Sequence, residues 1–222
     1  ARPFMAGDDL DHLDIESTLD AIVSSGKRLD AITQEELFVY DTSKGRAALG
    51  VLIDISGSMD GRSLAICAIA VVMLLGKVRS GEIALALFES DTHIIKSFQD
   101  DTDLDEVADH LLDLRATGGT RVDAALKWIG NEFEGVPEAD FRLLFILSDF
   151  CFFEPLEEIH TLSGNLAEQN VVFLCASHGY VCKETLNAMT RVTDGHTTQL
   201  KSVERLPGIL IETLRQIGEE QL

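Results

Sequence analysis

Short apolar runs alternate with helix-like segments along most of this 222-residue chain, and their order predicts the fold. Residues 47–53 carry no charged side chain and read as a strand covered on both faces, while 64–75 opens an apolar helix. Residues 83–88 and 92–98 are β runs joined by Glu89, Ser90 and Asp91, a hairpin that lays one antiparallel strand on an otherwise parallel sheet. Helices follow over about 104–114 and 122–133, then a strand at 143–147, a helix over 155–168 and a strand over 171–177. A short helix at 183–189, a last strand near 197–200 and a helix over 204–219 complete the pattern. Strand and helix alternation at this spacing predicts an α/β fold: a doubly wound, mostly parallel sheet with one antiparallel edge strand and helices on both faces. Ahead of it, residues 8–32 are acidic and helix-like, with Leu10, Leu13, Leu19, Ile22 and Val23 able to share one face and Gly26 as a break. Residues 1–45 are therefore expected to form a helical N-terminal extension packed on a main domain over 46–222. Ser25-Gly26-Lys27 is no phosphate loop, because Ala21 stands where the earlier glycine is needed and Arg28 where the hydroxyl is needed.

Candidate chemistry gathers at strand ends. The run from Val51 to Gly61 ends an apolar strand in one carboxylate, Asp54, and two hydroxyls, Ser56 and Ser58, each two residues apart. In an open α/β sheet this strand-to-helix loop lies at the carboxyl end of the strands, where such folds place ligands. The same residues would also serve a plain helix entry, with a serine capping the first amides and Asp54 complementing the dipole. Two further segments favour a site. Thr117-Gly118-Gly119-Thr120 is a glycine-flexed loop ending in a hydroxyl just before a helix, and the strand at 143–147 delivers Asp149 at its carboxyl end. Asp54, Ser56, Ser58, Thr120 and Asp149 would thus meet at one sheet edge. Hydroxyl and carboxylate oxygens without sulfur or imidazole suit a hard cation, Mg2+ first and Mn2+ as well.

Taken together, the three loops resemble a von Willebrand factor type A (vWA) domain with its metal-ion-dependent adhesion site, over about residues 46–217. The resemblance implies that Ser56 and Ser58 bind the metal directly, that Asp54 and Asp149 act largely through water, and that Thr120 joins when a ligand is engaged. It implies that a carboxylate from a partner protein fills the open position, so the domain would be an interaction module and not an enzyme. One position departs from the pattern: the family often has Gly after the second Asp, whereas this chain has Phe150, then Cys151, Phe152 and Phe153. Packing of Phe150 in the core is expected, with a walled site or an exposed apolar contact as the alternatives.

Composition narrows the partners. With 38 acidic and 18 basic residues the net charge is −20, which disfavours nucleic acid and anionic membranes, both of which attract basic patches. The apolar fraction of 45% argues that the chain folds. The four cysteines, Cys67, Cys151, Cys175 and Cys182, form no C-x-x-C pair and sit in or beside apolar runs, as small hydrophobes in a reducing compartment do. Cys175, His178 and Cys182 could offer three zinc ligands, but a fourth is missing. Neither a secretory signal pattern nor an apolar run of spanning length is evident, so a cytoplasmic protein is expected. Within the resemblance this favours the intracellular prokaryotic kind that works beside MoxR-type AAA+ ATPases or in metal chelatases, with an extracellular adhesion domain as the alternative. A Mg2+-dependent hydrolase or phosphotransferase of doubly wound fold is the other alternative; Arg121 is its only obvious cation beside the loops and Asp60 its candidate base.

Overall fold

The computed structural model describes residues 2–4, 14–25, 33, 37–39, 47–59, 64–65, 68–69, 71–72, 82–101, 103, 106–107, 111, 118–178 and 180–200. The chain divides into two compact units, Ala1–Lys44 and Gly45–Leu222.

In the first unit, β1 (Arg2–Pro3) pairs antiparallel with β2 (Phe38–Val39), beside α1 (Ile15–Ser25). Asp14 caps the helix: its carboxylate accepts the Ser17 amide at 3.1 Å and the Ser17 hydroxyl at 2.8 Å. The Thr18 hydroxyl accepts the Phe38 amide at 3.0 Å and so fastens the helix to β2. The pattern of residues 8–32 predicts the helix but not the strand pair, since two-residue strands are too short to leave an apolar alternation.

The second unit is built on six strands: β3 (Ala47–Asp54), β4 (Ile83–Phe88), β5 (Thr92–Lys96), β6 (Phe141–Leu147), β7 (Val171–His178) and β8 (His196–Leu200). Their spatial order is β5-β4-β3-β6-β7-β8, all pairs being parallel except β4 with β5. The predicted fold class is therefore the observed one. Strand β5 stops at Lys96, short of the predicted 98, because the Lys96 ammonium is buried and donates to the carbonyls of Ser97 and Asp100, 2.9 Å each, closing a turn.

Alternate residues of each buried strand face opposite sides of the sheet, and each side has its own core. Leu49, Val51 and Ile53 of β3 face Leu64, Ala68, Val71, Val107 and Leu111, all helical in the structure. Ala48 and Leu52 face the other side, with α2 (Asp123–Glu134), α3 (Leu156–Glu168) and α4 (Lys183–Val192) supplying Ala125, Ile129, Ile159, Leu166 and Met189. Helix α4 runs to Val192, three residues past the predicted end. The helix predicted over 204–219 lies outside the described residues.

This order locates the candidate site. From β3 the chain crosses to β4 on one side, and β6 enters on the other, so β3 and β6 are neighbours whose onward connections run apart. A crevice opens at the carboxyl ends of two such strands. Asp54 is the last residue of β3, and Ser148 and Asp149 directly follow β6.

Candidate functional site

Asp54 is completely buried, with both carboxylate oxygens engaged. Oδ1 accepts the backbone amide of Ser56 at 2.8 Å, and Oδ2 accepts the hydroxyl of Ser148 at 2.6 Å. The first bond is local and folds the loop over the strand end; the second crosses from β6 to β3. Ser148 in turn accepts the amide of Phe150 at 2.8 Å. Asp149 accepts the amide of Cys151 at 2.9 Å on its Oδ1, and its carbonyl accepts the amide of Cys182 at 2.9 Å. The hydroxyls of Ser56 and Ser58 lie 3.1 Å apart, Ser56 buried and Ser58 exposed, so one hydroxyl pair spans the depth of the loop.

Three contacts join the three predicted loops. The first meets the second where the Gly57 amide donates to Gly118 O at 3.4 Å. The first meets the third at Ser148 and Asp54. The second meets the third where the Phe153 amide donates to Thr120 O at 3.0 Å. The second loop is also tied to the β4–β5 hairpin, because Gly119 N donates to Ser90 Oγ at 2.9 Å and Arg121 N to Glu89 O at 2.6 Å. Gly118 needs its glycine: its φ is +72°, and a Cβ there would strike Glu89 and Ser90.

Electrostatics favours a cation. Burial pushes the Asp54 carboxyl above its ordinary value, the hydrogen bonds from Ser148 and Ser56 pull it back, and the negative charge of Asp149 adds a smaller upward push. No salt bridge neutralises Asp54 among the described residues; its bonds come from a hydroxyl and an amide. A buried carboxylate in that position costs free energy unless it is protonated or a cation stands near it. Among the described residues no three His, Cys, Asp or Glu side chains gather as a metal site, so a cation here would depend on hydroxyls as much as on carboxylates. That donor set fits Mg2+ or Mn2+. The zinc string finds no support among the described residues, where Cys175 is buried inside β7 and Cys182 is half-buried before α4.

Phe150 resolves the departure noted at the third loop. Its φ is +59°, the left-handed conformation in which glycine is at ease, so this chain holds a phenylalanine in a glycine backbone. The ring is completely buried, 5.8 Å from that of Phe152, which stands 6.0 Å from Phe88. Ring burial offsets the backbone strain, and core packing is the outcome. Phe153 instead is 73% exposed at the rim, against Gly119, where any Cβ would meet its ring.

Sequence reasoning missed two supporting residues. Ser148 was visible only as the residue before Asp149. Glu154 caps α2 from a distance: its Oε1 accepts the amides of Val122 at 3.0 Å and Asp123 at 3.2 Å, a role no local spacing announces. Arg121, the cation beside the loops, is engaged with Asp123 at 3.3 Å and Glu154 at 3.6 Å. Asp60 and Thr117 lie outside the described residues.

Residues 49–151 match the profile of the von Willebrand factor type A domain family. The fold is that of a vWA domain. A von Willebrand factor type A structure from Catenulispora acidiphila superposes with a TM-score of 0.68 at 16% identity, covering 80% of this chain and 43% of that one. BatB from Bacteroides thetaiotaomicron gives 0.64 at 12%, covering 78% and 99%. Proximal thread matrix protein 1 from the mussel byssus, solved with a zinc-occupied MIDAS motif, gives 0.59 at 19%, covering 76% and 47%. This chain thus spans less than half of the Catenulispora and mussel chains. No curated protein matches it by sequence. The vWA domain is a type of protein-interaction module, and one of these neighbours carries a divalent metal at its adhesion site.

Proposed function

We propose that this vWA domain is a Mg2+-dependent interaction module, not an enzyme, that captures a partner protein through an Asp or Glu side chain. The observation that carries the reading is Asp54, buried and bonded only to Ser56 and Ser148 among the described residues, at the junction of three loops that also bring Ser56, Ser58, Thr120 and Asp149 to one sheet edge. Ser56 and Ser58 would hold the ion directly, Asp54 and Asp149 from the next layer, and Thr120 on engagement. When bound, the ion supplies a local positive charge on an acidic domain and so makes room for a partner carboxylate. The chain's own part is to fix the donors: Ser148 and the Ser56 amide orient Asp54, and the Phe153 to Thr120 bond holds the second loop against the third. The partner we propose is an AAA+ ATPase in the cytoplasm, on the strength of the resemblance to intracellular prokaryotic vWA domains. A hydrolase would need a cation free for substrate, and Arg121 is engaged by Asp123 and Glu154.

Calorimetric titration of metal-stripped protein with Mg2+ or Mn2+ tests the site, at millimolar metal if the affinity is weak. The heat should vanish in the Asp54→Ala, Ser56→Ala double variant. Affinity for the co-purified ATPase should fall in chelator and in Thr120→Ala. Undiminished affinity in both would remove the metal-bridged contact.

A further inference from the structure

The cysteine beside the third loop has a neighbour. Cys151, two residues after Asp149, places its sulfur 3.6 Å from the Asp149 carbonyl oxygen. The Cys182 amide donates to that same oxygen at 2.9 Å. The two residues therefore meet across the carboxyl ends of adjacent strands, Cys151 after β6 and Cys182 after β7. Both are half-buried free thiols, whereas Cys175 is fully buried inside the sheet. Cys182 is the N-cap of α4, and its sulfur sits 3.4 Å from the Thr185 hydroxyl, facing the first turn of the helix. Both residues contact one carbonyl oxygen, and disulfides form only between residues whose backbones are neighbours.

We propose that Cys151 and Cys182 are a modification site, a dithiol that a peroxide converts to an intramolecular disulfide linking the Asp149 loop to the start of α4. Cys182 attacks one peroxide oxygen: the O–O bond breaks, an S–O bond forms, and the first water leaves with the thiol proton. Cys151 then attacks the Cys182 sulfur: the S–O bond breaks, the S–S bond forms, and the hydroxyl leaves as a second water with the Cys151 proton. Two thiols and one hydrogen peroxide thus give one disulfide and two waters, with two electrons passing from sulfur to oxygen. Fixing this carbonyl to α4 restrains the backbone that presents Asp149. The bridge stands independently of the metal reading, because it needs only the two thiols.

The test treats the full 222-residue chain with hydrogen peroxide, blocks remaining thiols with iodoacetamide and maps the peptides by mass. The expected product is a peptide pair joining Cys151 to Cys182, lighter by two hydrogens than the separate peptides and released by dithiothreitol. Cys182→Ser should abolish it and leave Cys151 open to alkylation. Should that variant fail to fold, the same mapping on the wild-type chain decides alone. Persistent alkylation of both cysteines in excess peroxide, a sulfinic acid at Cys182 in place of the bridge, or pairing with Cys67 or Cys175 would each overturn the assignment.

Discussion

Ser148→Ala removes a hydroxyl that makes two buried bonds, and both losses can be sized. Its Oγ donates to Asp54 Oδ2 at 2.6 Å and accepts the Phe150 amide at 2.8 Å. A hydrogen bond to a charged group contributes about 1.5–3 kcal/mol, and a buried amide left unpaired costs about 1–3 kcal/mol. The two share one atom and do not simply add, so the expected loss is about 2–4 kcal/mol. The change from hydroxymethyl to methyl leaves almost no cavity, which isolates the polar effect from packing. For a domain of this size each kcal/mol moves the melting temperature by about 2–4 °C, giving a fall of roughly 5–15 °C. Asp54 should also become harder to ionise, since the hydrogen bond from Ser148 is the strongest influence opposing its burial. Urea denaturation and thermal melting in chelator measure the first effect, and Mn2+ titration measures the second as weakened affinity. A destabilisation below about 0.5 kcal/mol, within the range of ordinary surface substitutions, would refute the view that Ser148 holds the two strand ends together.

Asp54→Asn tests the electrostatics. A carboxyl raised above its ordinary value of 3.8 contributes stability that is fully present below that value and is lost as pH rises through the folded value. In chelator at pH 7 the Asn variant should therefore match or exceed the wild type in melting temperature, with the advantage vanishing at low pH. Added Mn2+ should stabilise only the wild type, and a variant less stable than wild type at pH 7 in chelator would contradict this. Phe150→Gly relieves about 1 kcal/mol of left-handed strain but loses a fully buried ring at about 3–5 kcal/mol, so denaturation should show a net loss of about 2–4 kcal/mol. Equal or greater stability would mean that strain outweighs packing. Gly50→Ala puts a Cβ 2.8 Å from Ile129 Cγ1 and 3.0 Å from Leu144 Cδ1, and this overpacking should cost about 1–3 kcal/mol by the same measurement.

The centre of the sheet was legible because its inner strands are buried on both faces and therefore appear as unbroken apolar runs. Residues 47–53, 83–88 and 171–177 fall within a residue of the observed strands. What escaped depended on single side chains acting at a distance. Lys96 ends β5 by turning its ammonium onto two carbonyls, and a lysine at a strand end carries no such signal in sequence. Glu154 caps a helix from 32 residues away, beyond any local capping pattern. The candidate ligands were readable as oxygen types at strand ends, but the serine that ties Asp54 to β6 was not. Its role exists only once β3 and β6 are neighbours. Phe150 is the opposite case: the missing glycine was visible, yet only the packing against Phe152 explains how a bulky residue keeps the glycine backbone.

A protein with a net charge of −20 is an unpromising receptor for a carboxylate, and the proposed site would meet that difficulty by its choice of donors. Had the three loops delivered carboxylates alone, a divalent ion would be neutralised by the protein and would have no charge left to offer. Of the five candidate donors three are hydroxyls, which bind a hard cation without cancelling its charge. Asp54 accepts bonds from Ser56 and Ser148 instead of standing free, so its charge is partly satisfied before any ion arrives. The distant acidic residues matter less than their number suggests, because at physiological salt fields between exposed charges fade over about 8 Å. In the proposed capture the local charge at the sheet edge would decide. There a divalent ion would balance the two carboxylates, and because the hydroxyls that would hold it are neutral, its remaining positions would stay open to an acidic side chain from outside.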